Sequence, residues 1–142
     1  MDVKGTTLYL LDTNTVGDIV SGRSKAARLT MSQLIDHSLI AISAITEGEL
    51  LYGLARKPEA IRLRTGVEAF LSAIQIRYWD SAAARAYGSL RARMAASGKS
   101  LSNMDLLIAA HPVAIDAILV TRDGAFSQIE ALRPVVNWAT DL

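Results

Sequence analysis

Four acidic residues fall where short apolar runs give way to helical ones. Asp12 ends the run Leu8–Leu11, and Glu49 lies in the first turn of the helix predicted after Ser38–Ile42. Asp105 lies in the first turn of a helix opened by Ser102, and Asp123 follows Ile118–Val120. Each has an ordinary local role. Thr46-Glu47-Gly48-Glu49 and Ser102-Asn103-Met104-Asp105 have capping-box spacing, Asp12 can cap the helix that follows it, and Asp123-Gly124 is a turn pair. Together they pose a charge problem, because two unit charges 4 Å apart repel by about 4 kcal/mol at an effective dielectric near 20. Carboxylates gathered on one edge would take up protons, splay apart or bind cations. The chain has only His37 and His111 and no cysteine, so a cation there would be held by oxygen alone, which favours Mg²⁺ or Mn²⁺ over zinc. Such ions activate water and offset charge building on a phosphodiester.

For these acids to meet, the elements must form an open parallel sheet, in which strand carboxyl ends and the helix N-termini after them share the ligand-binding edge. The pattern predicts such a sheet. Leu8–Leu11 is followed by a helical stretch to Val20, broken at Gly22, and Ser24 caps a second helix through Leu34. Ser38–Ile42 reads as a strand and Thr46–Arg56 as a helix. Pro58 suits the first turn of a helix running to Ala73. Ile74–Tyr78 is a strand, Asp80 caps a helix ending near Gly98, Ile118–Val120 is a strand, and Pro134–Trp138 a last edge strand. Short strands separated by helices demand crossover connections, so the expected fold class is α/β. It is a single three-layer domain over residues 1–142, with a central parallel sheet of four to five short strands flanked by helices.

Composition removes other classes. At 51% hydrophobic and 20% charged over 142 residues the chain is not disordered. With no cysteine there is no disulfide scaffold, thiolate zinc site or cysteine nucleophile. Ser43 and Ser102 lack a His/Asp relay. No signal peptide or stretch able to span a bilayer is visible, which predicts a soluble cytoplasmic protein. An aspartyl phosphatase needs a second Asp where Asn14 stands, and a phosphorelay receiver needs a lysine where Ile118–Thr121 leads to Arg122. Charge is uneven: Leu50 to Met104 carries nine Lys/Arg against three acids, although the whole chain is only +1. Within it Arg85, Arg91, Arg93 and Lys99 form a candidate phosphate-facing edge. Arg122, beside Asp123, is either a phosphate contact or half of a surface ion pair. His111, Trp79, Trp138, Tyr52 and Tyr87 are assigned to packing.

Four strings stand in order: Leu10-Leu11-Asp12-Thr13-Asn14; Ser43-Ala44-Ile45-Thr46-Glu47-Gly48-Glu49-Leu50-Leu51-Tyr52-Gly53; Asn103-Met104-Asp105-Leu106-Leu107-Ile108-Ala109-Ala110-His111; and Leu119-Val120-Thr121-Arg122-Asp123. In this the chain resembles PIN-domain proteins over nearly its whole length, most closely the VapC-type ribonuclease toxins of VapBC toxin–antitoxin pairs. The resemblance implies a Mg²⁺- or Mn²⁺-dependent endoribonuclease whose metal is held by catalytic acids matching Asp12, Glu49, Asp105 and Asp123, with Asn14 and Thr121 in support. It also implies an RNA substrate such as tRNA, a VapB-type antitoxin and a homodimer. The motif's Glu-Leu pair selects Glu49 over Glu47, which points about 200° away around the helix. A catalytically inactive PIN-like module that binds RNA or protein is the alternative. In either case an exposed apolar groove is expected on part of Thr46–Ala73. Two positions depart from the pattern: Gly48 at the helix start, and Pro112, which should kink or end the helix begun at Ser102.

Overall fold

β1 (Leu8–Leu11) is almost wholly apolar and occupies the middle of a four-stranded sheet. β2 (Leu39–Ser43) flanks it on one side and β4 (Ile118–Val120) on the other, with β3 (Gln75–Arg77) outside β2, and every pairing is parallel. The register sets Leu10 beside both Ala41 and Leu119. The computed structural model describes residues 6–132 and 134–140. The crossovers are α1 (Thr13–Ser21), α2 (Lys25–Leu34), α3 (Ala44–Arg56), α4 (Ile61–Ala73), α5 (Ser81–Ala96) and α6 (Asn103–Ile115). Two short 3₁₀ turns, Gly124–Gln128 and Glu130–Leu132, follow β4.

Strand alternation sorts the core into two layers. Leu11, Ile40, Ile42 and Val120 pack with Val16, Ile19, Ala27, Leu50, Leu54 and Val67, so α1–α4 cover one face. Leu119 packs with Leu90, Met94, Leu106, Ile108 and Ala109, which puts α5 and α6 on the other. The three-layer α/β expectation is met. Gly66 allows α4 to close on α1, since a Cβ there would come 2.7 Å from the Val20 side chain. Connections run outward from β1 to β2 to β3, then return to the far side of β1 for β4. Strand order therefore reverses between β1 and β4, where a sheet of this kind leaves a crevice at its carboxyl ends.

The helix starts at Ser24, Asp80 and Ser102 are as predicted, each side chain accepting a bond from an amide of the first turn. Gly22 closes α1 at φ 75, a conformation glycine adopts without strain. Several boundaries differ. α3 begins at Ala44 with Ser43 as its cap, not at Thr46. Thr46 lies inside the helix, 1% exposed, and its hydroxyl is the sole buried side-chain polar atom without a partner among the described residues. α4 starts at Ile61, three residues beyond Pro58. Pro112 does not stop α6, which continues to Ile115 and closes at Asp116 with φ 55. Full burial of the proline ring offsets the missing amide. The expected strand at Pro134–Trp138 reduces to one bridge between Val136 and Val120, because Pro134 has no amide to donate and Trp138 turns in against Tyr9, ring centroids 5.4 Å apart. Among the described residues no helix is long and apolar enough to cross a membrane.

Candidate functional site

Asp12 leaves β1 at the point where strand order reverses. Its amide donates to the Val120 carbonyl of β4 (3.0 Å), and its carboxylate Oδ1 accepts from the Thr15 amide (2.8 Å), capping α1. A second tie, Thr15 Oγ1 to the Val120 carbonyl (3.2 Å), fixes the same junction. Asp12 is 6% exposed and makes no ion pair among the described residues.

The other three acids arrive from different elements. Glu49 sits in the second turn of α3, because that helix starts earlier than predicted, and its Oε1 accepts from the Thr13 hydroxyl at 2.6 Å. Asp105 lies in the first turn of α6, where its amide donates to Ser102 Oγ at 3.1 Å. Asp123 follows β4, its amide bonded to Thr121 Oγ1 (3.0 Å) and its Oδ1 accepting from the Ala125 amide (2.9 Å). Thr121, 2% exposed, thus orients Asp123, while Asn14 stands at the rim.

All four carboxylates line one pocket of about 170 Å³ with Thr13, Asn14, Ile108 and Phe126, and among the described residues no Lys, Arg or His contributes to its wall. Four acids without a basic neighbour suit a hard divalent cation. Mg²⁺ also keeps several waters and needs few protein ligands. As the side chains lie, no three Asp, Glu or His groups among the described residues are disposed to clasp an ion. Asp12, Glu49 and Asp123 each give one oxygen to a local donor and keep the other for a ligand.

The basic candidates lie elsewhere. Arg85, Arg91 and Arg93 are all exposed on α5, and none lines the acidic pocket. At 100° per residue Arg91 stands well over 90° around the helix from both Arg85 and Arg93, so the three do not form one edge. Arg91 bonds Tyr87 Oη at 2.8 Å. Arg122 is in an ion pair: its Nε donates to Asp18 Oδ2 at 2.8 Å, and Arg23 Nε reaches Oδ1 of the same carboxylate at 3.2 Å. Asp18 was not singled out by sequence. Its signal is the one charged residue of α1, four residues and one turn beyond Asn14.

His111 is 1% exposed, with Nδ1 2.8 Å from Ser43 Oγ. Burial lowers its pKa below the usual 6.5, Arg77 works the same way, and Asp80 and the Tyr78 backbone oppose them. It is a neutral core residue joining α6 to the cap of α3. Trp79 donates to the Leu107 carbonyl (2.9 Å) and meets Tyr87 edge-on, and Trp138 is buried. Tyr52 departs from the packing assignment: it is 64% exposed beneath the Arg56 guanidinium. With Leu51 and Ile61 it exposes apolar surface on α3 and α4, where a groove was expected.

Comparison with known proteins finds relatives over most of the chain. The PIN domain model matches residues 9–132. Ribonuclease VapC2 of Rickettsia felis is 31% identical over 116 residues, 82% of this chain and 87% of that protein. The tRNA(fMet)-specific endonuclease VapC of Shigella flexneri is 30% identical over 126 residues, 88% of this chain and 94% of the other. Among solved structures, DNA-bound VapBC from Salmonella typhimurium superposes with a TM-score of 0.84 at 28% identity, covering 94% of this chain and 99% of that one.

Proposed function

The chain belongs to the PIN-domain family and, within it, to the VapC ribonucleases; on that premise we propose that it is a divalent-cation-dependent endoribonuclease, the toxin of a VapBC-type toxin–antitoxin pair. What carries this conclusion is the pocket itself: four carboxylates from four elements, with no cationic side chain among the described residues that line it. Asp12, Glu49, Asp105 and Asp123 would hold Mg²⁺ or Mn²⁺, which when bound supplies Lewis acidity, acidifying water and offsetting charge on the phosphodiester.

The protein's own groups set the stage for that chemistry. Asp12 is fixed by its bonds to α1 and β4, so one wall of the site is rigid. Thr13 holds Glu49 by one oxygen and leaves the other free to ligate. Thr121 anchors the backbone that presents Asp123. Asn14 offers an uncharged amide at the rim, able to meet a phosphate or sugar oxygen where a further carboxylate would repel it.

The substrate is an RNA with an accessible unpaired segment, whose backbone can be splayed across the edge of the sheet. A tRNA fits that description, and the Shigella flexneri relative is named for one. The partners are a VapB-type antitoxin and a second copy of the chain, for which exposed Leu51, Tyr52 and Ile61 supply apolar contact area, and the setting is the cytoplasm. The test compares RNA incubated with the protein in Mg²⁺, with the protein in EDTA, and with the Asp12→Asn variant in Mg²⁺. Cleavage in the first sample alone, leaving 5′-phosphate and 3′-hydroxyl ends, is expected. Equal cleavage in all three refutes the proposal.

A further inference from the structure

Beside the acidic pocket lies a larger, oppositely charged cleft of about 610 Å³, lined by Asp18, Gly22, Arg23, Ser24, Lys25, Arg122 and Ala139. The two are neighbours. A third depression contains both Arg122 and Asp123, so it shares Arg122 with the basic cleft and Asp123 with the acidic pocket. α1 spans the same distance, with Asn14 at the acidic pocket and Asp18 at the basic cleft, about 6 Å further along the helix.

Asp18 is the keystone of the cleft. Its side chain is 93% buried and receives one guanidinium on each oxygen, both through Nε. Among the described residues neither guanidinium uses its two terminal nitrogens in a bond to protein, and their side chains remain 66% and 45% exposed for Arg23 and Arg122. Each fork is therefore fixed at its base and open at its tip, the form in which arginine grips phosphate in two places. Lys25 makes no ion pair among the described residues. Among the described residues that line it, three cations stand against one buried carboxylate.

We propose that Arg23, Lys25 and Arg122, arranged around buried Asp18, form a phosphate-binding subsite that holds the RNA backbone next to the acidic pocket. The RNA half of this statement rests on the nuclease function above; the anion subsite rests on the cleft alone. Such a subsite lets an acidic centre attract a polyanion: the neighbouring phosphate is neutralised while the phosphate to be cut lies among the carboxylates.

The test measures binding of a short fluorescent single-stranded RNA in EDTA, across a salt series, so that hydrolysis plays no part. Arg23→Gln, Lys25→Gln and Arg122→Gln should each weaken binding roughly threefold to tenfold and flatten the salt dependence by about one phosphate contact. Arg23→Lys should restore the salt dependence, which a purely structural role for Arg23 does not predict. If Arg122→Gln fails to fold, Lys25→Gln decides. Unchanged affinity and salt dependence in folded variants overturns the subsite, even if the wild-type protein cuts RNA. Loss of binding in the variants upholds it, even if the wild type cuts no RNA in Mg²⁺. Weakened binding of an acidic polypeptide with unaltered RNA binding also overturns it, in favour of a protein ligand.

Discussion

Asp12→Asn should abolish RNA cleavage and yet make the metal-free protein more stable. Asparagine caps helices as well as aspartate, so the bond from the Thr15 amide to the position 12 side chain survives the change. What disappears is a buried negative charge facing three others. Treated as a sphere, the 170 Å³ pocket is about 7 Å across, and two unit charges at that separation repel by about 2 kcal/mol at a dielectric near 20. Solvent reaches Glu49, Asp105 and Asp123, and salt screens them over about 8 Å, so the summed gain falls to about 1–2 kcal/mol. For a chain of this size that is about 3–8 °C in Tm. Thermal melts in EDTA at low ionic strength read the effect directly. Mg²⁺ at 100 times its Kd should then raise wild-type stability by about 2.7 kcal/mol and the variant by much less. A variant melting below wild type in EDTA, or equal stabilisation of both by Mg²⁺, would show that the carboxylates do not share a field.

Three further outcomes are expected. Thr13→Val removes the 2.6 Å bond to Glu49 and should weaken Mn²⁺ affinity or cleavage about 10–100-fold, with Tm nearly unchanged; titration of Mn²⁺ by calorimetry checks it. Thr46→Val keeps the shape and removes the unpartnered buried hydroxyl, so urea unfolding should show about 1–2 kcal/mol of added stability. Because burial depresses the folded-state pKa of His111 below 6.5, the unfolded chain binds more protons in the window between the two values and stability rises with pH there. This contribution is complete above the unfolded value and is lost as the pH falls through 6.5 toward the folded one. Urea unfolding from about pH 7.5 to about 5.5 should therefore show a steeper decline in wild type than in His111→Gln.

Much of this site was legible because its acids sit at junctions. An apolar run ending in Asp-Thr-Asn reads as a strand turning into a capped helix, and with the alternation of short runs and helices that follows it this places Asp12 at the sheet edge. Ser102 and Asp80 announced their helices by the same chemistry. The start of α3 was not legible, since Ser43 and Thr46 both qualify as caps. What decides between them is that β2 runs on to Ser43, whose hydroxyl is also held by His111, 68 positions away. The role of Asp18 was hidden for a similar reason, because one of its two partners, Arg122, lies 104 positions further on. The last strand failed on local grounds, at Pro134. Local sequence shows which groups can cap or ligate; which of them meet depends on the crossovers.

The single bridge at Val136 has a consequence for assembly. Its amide donates to the Leu119 carbonyl and its carbonyl accepts from the Thr121 amide, so the free margin of β4 is already occupied by the chain's own tail. At the opposite margin β3 is only three residues long. A foreign extended peptide finds only a short unpaired margin, at β3, on which to add itself, which guards the fold against edge-to-edge aggregation. With so little edge to pair with, a partner gains its contact area mainly through side chains, as when a helix lies in a groove or residues thread into a pocket.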